Sequence, residues 1–178
     1  MKILAISGHA QNGKDTVAGL IKDSLKADGN RVLVAHYADL LKYMCRTFFD
    51  WDGNKDEKGR HILQYVGTDI IRKQAPDFWV DFISSVLTYF KENWDYVLIP
   101  DTRFPNEIGK LISNGFDVIH IRIVRPTFES PLTKEQQSHP SETALDNVIK
   151  NIRRFGKVFR FGRRHIKYEL CRLSKRIP

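Results

Sequence analysis

The most constraining feature is a nine-residue stretch near the start, Gly8-His9-Ala10-Gln11-Asn12-Gly13-Lys14-Asp15-Thr16. It follows a short apolar run, Lys2-Ile3-Leu4-Ala5-Ile6-Ser7, and precedes Val17, Leu20, Ile21 and Leu25 at helical spacing. A buried strand, a glycine-bounded loop and an amphipathic helix, in that order, form the setting of a phosphate-binding loop. The glycines let the backbone turn tightly and aim N–H groups at anionic oxygens. The new helix adds the partial positive charge of its N-terminus. Lys14 supplies a mobile full charge for the outer phosphates of a nucleoside triphosphate.

One position departs from the general pattern. Asp15 stands where Ser or Thr usually follows the lysine and ligates magnesium, with Thr16 one residue later. Asp15 is suited to bind the ion through water or to cap the helix, and Thr16 to bond a phosphate oxygen. Both remain candidates for the metal.

The rest of the chain reads as alternating strands and helices. Arg31–Ala38 is expected as a second strand, and Asp39 as the N-cap of a helix carrying Met44, Phe48 and Phe49. Residues 51–59 are polar enough for a surface loop. Ile62, Leu63, Val66 and Ile70 mark a helix that Gly67-Thr68-Asp69 interrupts. Trp79, Phe82, Ile83, Val86 and Phe90 form an apolar stripe expected in the core, with Pro76 in the first turn. Asp95–Pro100 is a buried strand ending in Asp101-Thr102-Arg103. Ile108, Leu111 and Ile112 mark a helix, and Asp117–Val124 a fourth strand. This alternation predicts a parallel sheet covered on both faces, a three-layer α/β fold. Ligands in such sheets bind beyond the carboxyl ends of the strands, where Gly8–Thr16, Asp39 and Asp101–Arg103 all fall.

Composition narrows the setting. With 178 residues and 42% hydrophobic content, the chain suits one domain with a real core. No apolar run approaches the ~20 residues that span a bilayer. The first residues read as a strand, not a signal peptide, and Cys45 and Cys171 as reduced thiols of a cytoplasmic protein. The net charge of +8 is local: from Lys150 onward eleven Lys and Arg face Glu169 alone, a surplus of ten, which leaves the preceding chain near −2. Nothing suggests that the whole fold binds nucleic acid. Ile166, Leu170 and Leu173 suggest a final basic helix docked on the fold. Val148–Asn151, or else Lys157–Phe161, is available as a last strand.

Phosphoryl transfer requires charge neutralisation, positioning and exclusion of water. Lys14 and its loop cover the donor phosphates. Asp101, at the tip of an apolar strand, is placed as the acidic partner of magnesium, or else as a helix cap or a surface salt bridge. Arg103, from the same turn, and Arg72 can grip a second phosphate bidentately. Residues 125–142 exceed a simple connector and read as a lid-like segment, with Arg125, Lys134, His139 and Glu142 as its contacts. His139 is as well explained by a surface position.

Six motifs in order, Gly8–Thr16, Tyr37–Lys42, Val66–Asp69, Phe78-Trp79, Pro100–Phe104 and Ser138–Glu142, resemble the deoxynucleoside monophosphate kinases of phages. That family shares a P-loop kinase group with animal phosphomevalonate kinase. The resemblance runs from Met1 to about Asn151, the extent expected of the kinase domain, with 152–178 as a basic tail that departs from the family pattern. It implies ATP and Mg2+ as cofactors and phosphoryl transfer to a deoxynucleoside monophosphate. It places Lys14 and Thr16 at the donor phosphates, with Gly8, Asn12, Gly13, Asp15 and Arg125 as further ATP candidates. It places Arg72, Asp101 and Arg103 around the acceptor, with Asp39, Lys42, Thr68, Asp69 and Glu142 as further acceptor candidates. Lys14, Asp101 and Arg103 are then catalytic, and Asp15, Thr16 and Asp101 the metal candidates. Expected partners are small nucleotides, with no membrane and with a homodimer allowed. Two alternatives stand beside this reading: a kinase for another phosphorylated acceptor such as phosphomevalonate, and a nucleotide-dependent nucleic-acid-binding protein using the basic tail.

Overall fold

A computed structural model describes residues 1–125, 128–130, 132–149, 155–161 and 164–171. Strand β1 (Lys2–Ser7) is central, and its alternating side chains serve both faces of the sheet. Ile3 packs with Val97, Ile99, Trp79, Val80, Ile83 and Leu87 on one side. Leu4 and Ile6 pack with Ala18, Leu98, Ile121 and Ile123 on the other. Burying both faces of an apolar strand is what a parallel sheet flanked by helices achieves.

Helix α1 (Lys14–Ala27) covers the second face through Val17, Ala18, Ile21 and Leu25. Then come β2 (Val32–Val34), α2 (Ala38–Phe48), α3 (Glu57–Gln64), a π-helical stretch (Tyr65–Arg72) and α4 (Phe78–Tyr89). Strand β3 (Tyr96–Ile99), α5 (Pro105–Ser113), β4 (Asp117–Val124), α6 (Lys134–Ser138) and α7 (Pro140–Ile149) follow. The sheet order is β2-β3-β1-β4, all parallel, so the expected three-layer α/β fold is present.

Several local expectations are corrected. The second strand stops at Val34, and Ala38 already belongs to α2, so Asp39 lies inside the first turn rather than at the cap. Trp51 is buried against Cys45 and Val66, with its indole N–H donating to the Asn54 carbonyl (2.8 Å), and the supposed surface loop is helical from Glu57. Gly67-Thr68-Asp69 does not break its helix; the backbone widens there into π-helical turns. On α4 the inward arc is Trp79, Val80, Ile83 and Leu87, while Phe82, Val86 and Phe90 are exposed. The apolar stripe is wider than the face that docks.

Among the described residues, strands stand where a C-terminal helix through Ile166 and Leu170 is expected: β5 (Phe155–Phe161) and β6 (Arg164–Cys171) form an antiparallel hairpin, and β6 pairs antiparallel with β4. Ile166 and Leu170 are four apart, a spacing common to a helix and to a strand's period of two. Tyr168 between them marks the strand period. Lys157–Phe161 supplies strand residues as one alternative held, whereas Val148 and Ile149 end α7. Leu173 and Asn151 lie outside the described residues.

Candidate active site

The loop from Gly8 to Gly13 leaves β1 and enters α1 directly. Gly8 has φ 149°, and a Cβ there would stand 2.6 Å from the Ile123 carbonyl oxygen of β4. Gly13 caps α1 at φ 89° with no side chain bonded to the helix's first N–H groups. A 14-residue helix whose leading donors lack a side-chain acceptor suits a phosphate. Lys14 is folded back, its Nζ donating to the carbonyls of Gly8 (2.9 Å) and His9 (2.8 Å). Burial, and then the nearby Arg103 charge, lower its pKa from 10.5 to about 8.

Two arginines line the neighbouring cleft. Arg72, at the end of the π-helical stretch, bonds Glu107 (2.6 Å) and Pro76 O (3.1 Å) and lies 3.9 Å over the Phe104 ring. Glu107 also accepts the backbone N–H groups of Arg103 (2.7 Å) and Phe104 (3.0 Å). One buried carboxylate thus ties both arginines to the start of α5. Burial pushes the Glu107 carboxyl above its ordinary value, opposed chiefly by Arg72. The guanidinium of Arg103 reaches the Ser141 carbonyl (3.0 Å) and the Glu142 carboxylate. Glu142 also accepts the Ala10 N–H of the phosphate loop (3.0 Å).

Asp101 has both oxygens on backbone donors, Tyr37 N–H (3.1 Å) and Ala38 N–H (2.9 Å) at the start of α2. That is the helix-cap alternative, made across two elements. Burial pushes its carboxyl up, while these donors and the nearby His36 pull it down. Asp15 is exposed and lies 3.4 Å from His36 Nε2, whose Nδ1 is 3.3 Å from Asp39. Thr16 is exposed beside it. Among the described residues no three His, Cys, Asp or Glu gather to hold a metal.

The cleft is lined by Ala10, Tyr37, Lys42, Thr68, Arg72, Asp101, Arg103 and Glu142, so six of the sequence-marked residues meet there, while of the phosphate loop only Ala10 reaches its wall. Asp39 is instead paired with Lys42 (2.8 Å), and Asp69 faces His139 (3.6 Å), outside this cleft. Asn12 is buried with its amide 3.5 Å from Ile123 O, and Arg125 reaches Gln11 O at 3.4 Å. His139 is the N-cap position of α7; its Nδ1 contacts the Ser141 hydroxyl (2.9 Å) and N–H (3.3 Å). Of the lid-like segment, Leu132, Ser141 and Glu142 reach the cleft, whereas Lys134 opens α6.

Sequence reasoning missed Glu107, Lys55, Arg60 and Gln64, all on the cleft wall. Signals for some existed: Pro105 followed by Glu107 is an N-terminal helix signature, and Arg60 and Gln64 are four apart on one helical face. Beneath the loop, buried His120 contacts the Ser7 hydroxyl (2.8 Å); burial and Arg122 lower its pKa to about 4.

A model of the deoxynucleotide monophosphate kinase family matches residues 49–152. The chain is 26% identical over 174 residues to a candidate deoxynucleotide monophosphate kinase of Acanthamoeba polyphaga mimivirus, covering 83% of this chain and 84% of that protein. It is 33% identical over 99 residues to the deoxynucleotide monophosphate kinase of Enterobacteria phage T4, covering 52% of this chain and 38% of that protein. Among solved structures, a mutant of the Mycobacterium tuberculosis APS kinase aligns over 83% of this chain and 94% of its own, with TM-score 0.42 and 17% identity.

Proposed function

The chain belongs to the deoxynucleotide monophosphate kinase family, and on that premise we propose that it transfers the γ-phosphoryl group of ATP, carried with Mg2+, to a deoxynucleoside monophosphate. The observation that carries this reading is the meeting of two anion-binding halves at one cleft. Ala10 of the phosphate loop lines the same cleft as Arg72 and Arg103, and Lys14 of that loop lies close enough to Arg103 to feel its charge; the loop suits donor phosphates and the arginines the acceptor phosphate.

Lys14 leaves two loop carbonyls to reach a phosphate oxygen, and that anion stabilises its charge. Arg103 and Arg72 orient the acceptor phosphate for in-line attack, held by Glu142 and Glu107 respectively. Asp15, Thr16 and Asp101 are the side chains available to the magnesium-bound water shell. Magnesium, when bound, supplies neutralisation of phosphate charge. The cleft measures about 190 Å3, below the ~300 Å3 where small-ligand pockets begin. Leu132 lines it from the lid-like segment.

The test is a coupled ADP-release screen with ATP and Mg2+ over the four common deoxynucleoside monophosphates, their ribose counterparts and phosphomevalonate. Turnover with at least one deoxynucleoside monophosphate, and an acceptor KM raised about tenfold by Arg103→Lys, is expected, because lysine keeps the charge but loses the fork. Turnover with phosphomevalonate alone would refute the assignment.

A further inference from the structure

Glu142 lines the cleft, and both of its oxygens already hold donors of the protein itself. One oxygen accepts the Ala10 N–H of the donor loop and the other the Arg103 guanidinium, and the side chain is only 4% exposed. His9 Nδ1 lies 3.9 Å away. The helix that carries Glu142 is anchored rather than free. Leu145 packs with Ala5 and Ile108 in the core, and Asp146 pairs with buried Arg122. The carboxylate is therefore a fixed strut between the two halves of the cleft.

We infer that Glu142 is a positioning residue that sets Arg103 against the phosphate loop and so fixes the separation of donor and acceptor. The inference rests on the kinase reading above. Electrostatics make the arrangement conditional. A carboxylate beside the path of a transferred phosphoryl group repels it unless its charge is neutralised, and Arg103 performs that neutralisation. The same contact orients the guanidinium, since a charge-assisted bond holds its fork at one angle. Glu142 thus helps while Arg103 is present and harms when Arg103 is gone. A residue that merely stabilised α7 would have no such change of sign.

The experiment compares Glu142→Gln in the native protein and in Arg103→Ala. Glutamine keeps a carbonyl oxygen for the Ala10 N–H and loses only the charge. In the native background kcat should fall roughly tenfold to a hundredfold, as expected for a misplaced transfer geometry, with ATP KM within about twofold. In Arg103→Ala the same change should leave kcat unaltered or partly restore it. An equal loss in both backgrounds, or no loss in the native one, overturns the inference. A second measurement is independent of turnover: the Arg103 side-chain N–H signals in 15N-resolved NMR should be restrained in the native protein and averaged in Glu142→Gln. Unchanged signals would also overturn it. If the native protein phosphorylates no deoxynucleoside monophosphate, the kinase reading fails, and these signals alone decide whether Glu142 holds Arg103.

Discussion

Replacing Lys14 by methionine should stabilise the fold while abolishing its chemistry. Lys14 is buried in the loop, and its pKa of about 8 instead of 10.5 means that the native state disfavours its charge. At ~1.4 kcal/mol per pH unit, that penalty is roughly 3 kcal/mol at neutral pH. Methionine fills the same unbranched volume without charge. Against this gain stand the two carbonyl bonds to Gly8 and His9, at about 1 kcal/mol each. The net is a gain of about 1 kcal/mol, which in a chain of this size raises the thermal midpoint by roughly 2–4 °C. The pH dependence fixes the cause. Between about pH 8 and 10.5 the unfolded native chain holds more protons at this site than the folded one, so native stability rises with pH there. The advantage of Lys14→Met should therefore be constant below pH 8 and shrink above it. Differential scanning calorimetry of both proteins from pH 6.5 to 9.5 measures this, alongside an ADP-release assay in which turnover falls at least about a hundredfold. A variant that melts below the native protein by the same margin at every pH would refute the reasoning, and retained turnover would remove Lys14 from the donor site.

Three other outcomes follow from the geometry. Gly8→Ala puts a Cβ 2.6 Å from the Ile123 carbonyl at a φ that side chains rarely adopt; it should cost roughly 2–4 kcal/mol in urea unfolding and weaken ATP binding, and native stability would contradict it. Asp101→Asn leaves one of the Tyr37 and Ala38 N–H groups without its acceptor; a loss of ~1–3 kcal/mol is expected by reversible denaturation, and a neutral result would remove Asp101 as the anchor of α2. Deleting residues 152–178 exposes the β4 edge that β6 covers, so the shortened chain should self-associate in analytical ultracentrifugation; a stable monomer would contradict that pairing.

The donor half was legible because each of its parts is local. An apolar strand, two glycines and a helix fall within Lys2–Ala27, and periodicity alone orders them. The same holds for β4, whose bounds match the expectation. The acceptor half depends on contacts that periodicity does not encode. Glu107 reads as an ordinary first-turn acid until α5 is laid beside Arg72, 35 residues earlier. The π-helical turns leave no composition signal, since Gly67 suggests a break in either case; its place is set by Leu41, whose Cδ2 would stand 2.7 Å from a Cβ at this position, and by the Trp79 indole bonded to the Gly67 carbonyl (3.0 Å). Trp51 is hidden among charged neighbours, and only its packing on Cys45 reveals it as core.

The central place of β1 also governs how the molecule comes into being. Its neighbours are β3 and β4, whose residues lie more than 90 positions downstream; Lys2 pairs with Tyr96 and with Asp117. At about 5–20 residues per second of synthesis, this first strand waits on the order of ten seconds before either flank exists. Throughout that interval Ile3, Leu4 and Ile6 have no sheet to enter, and the nascent chain carries an unpaired apolar segment of the kind that chaperones bind. The long-range closures place the protein among slow folders, because loop entropy is lost before parallel pairing repays it. A phosphate-type loop that leaves a strand made long before its sheet partners is thus among the last parts of the molecule to be assembled.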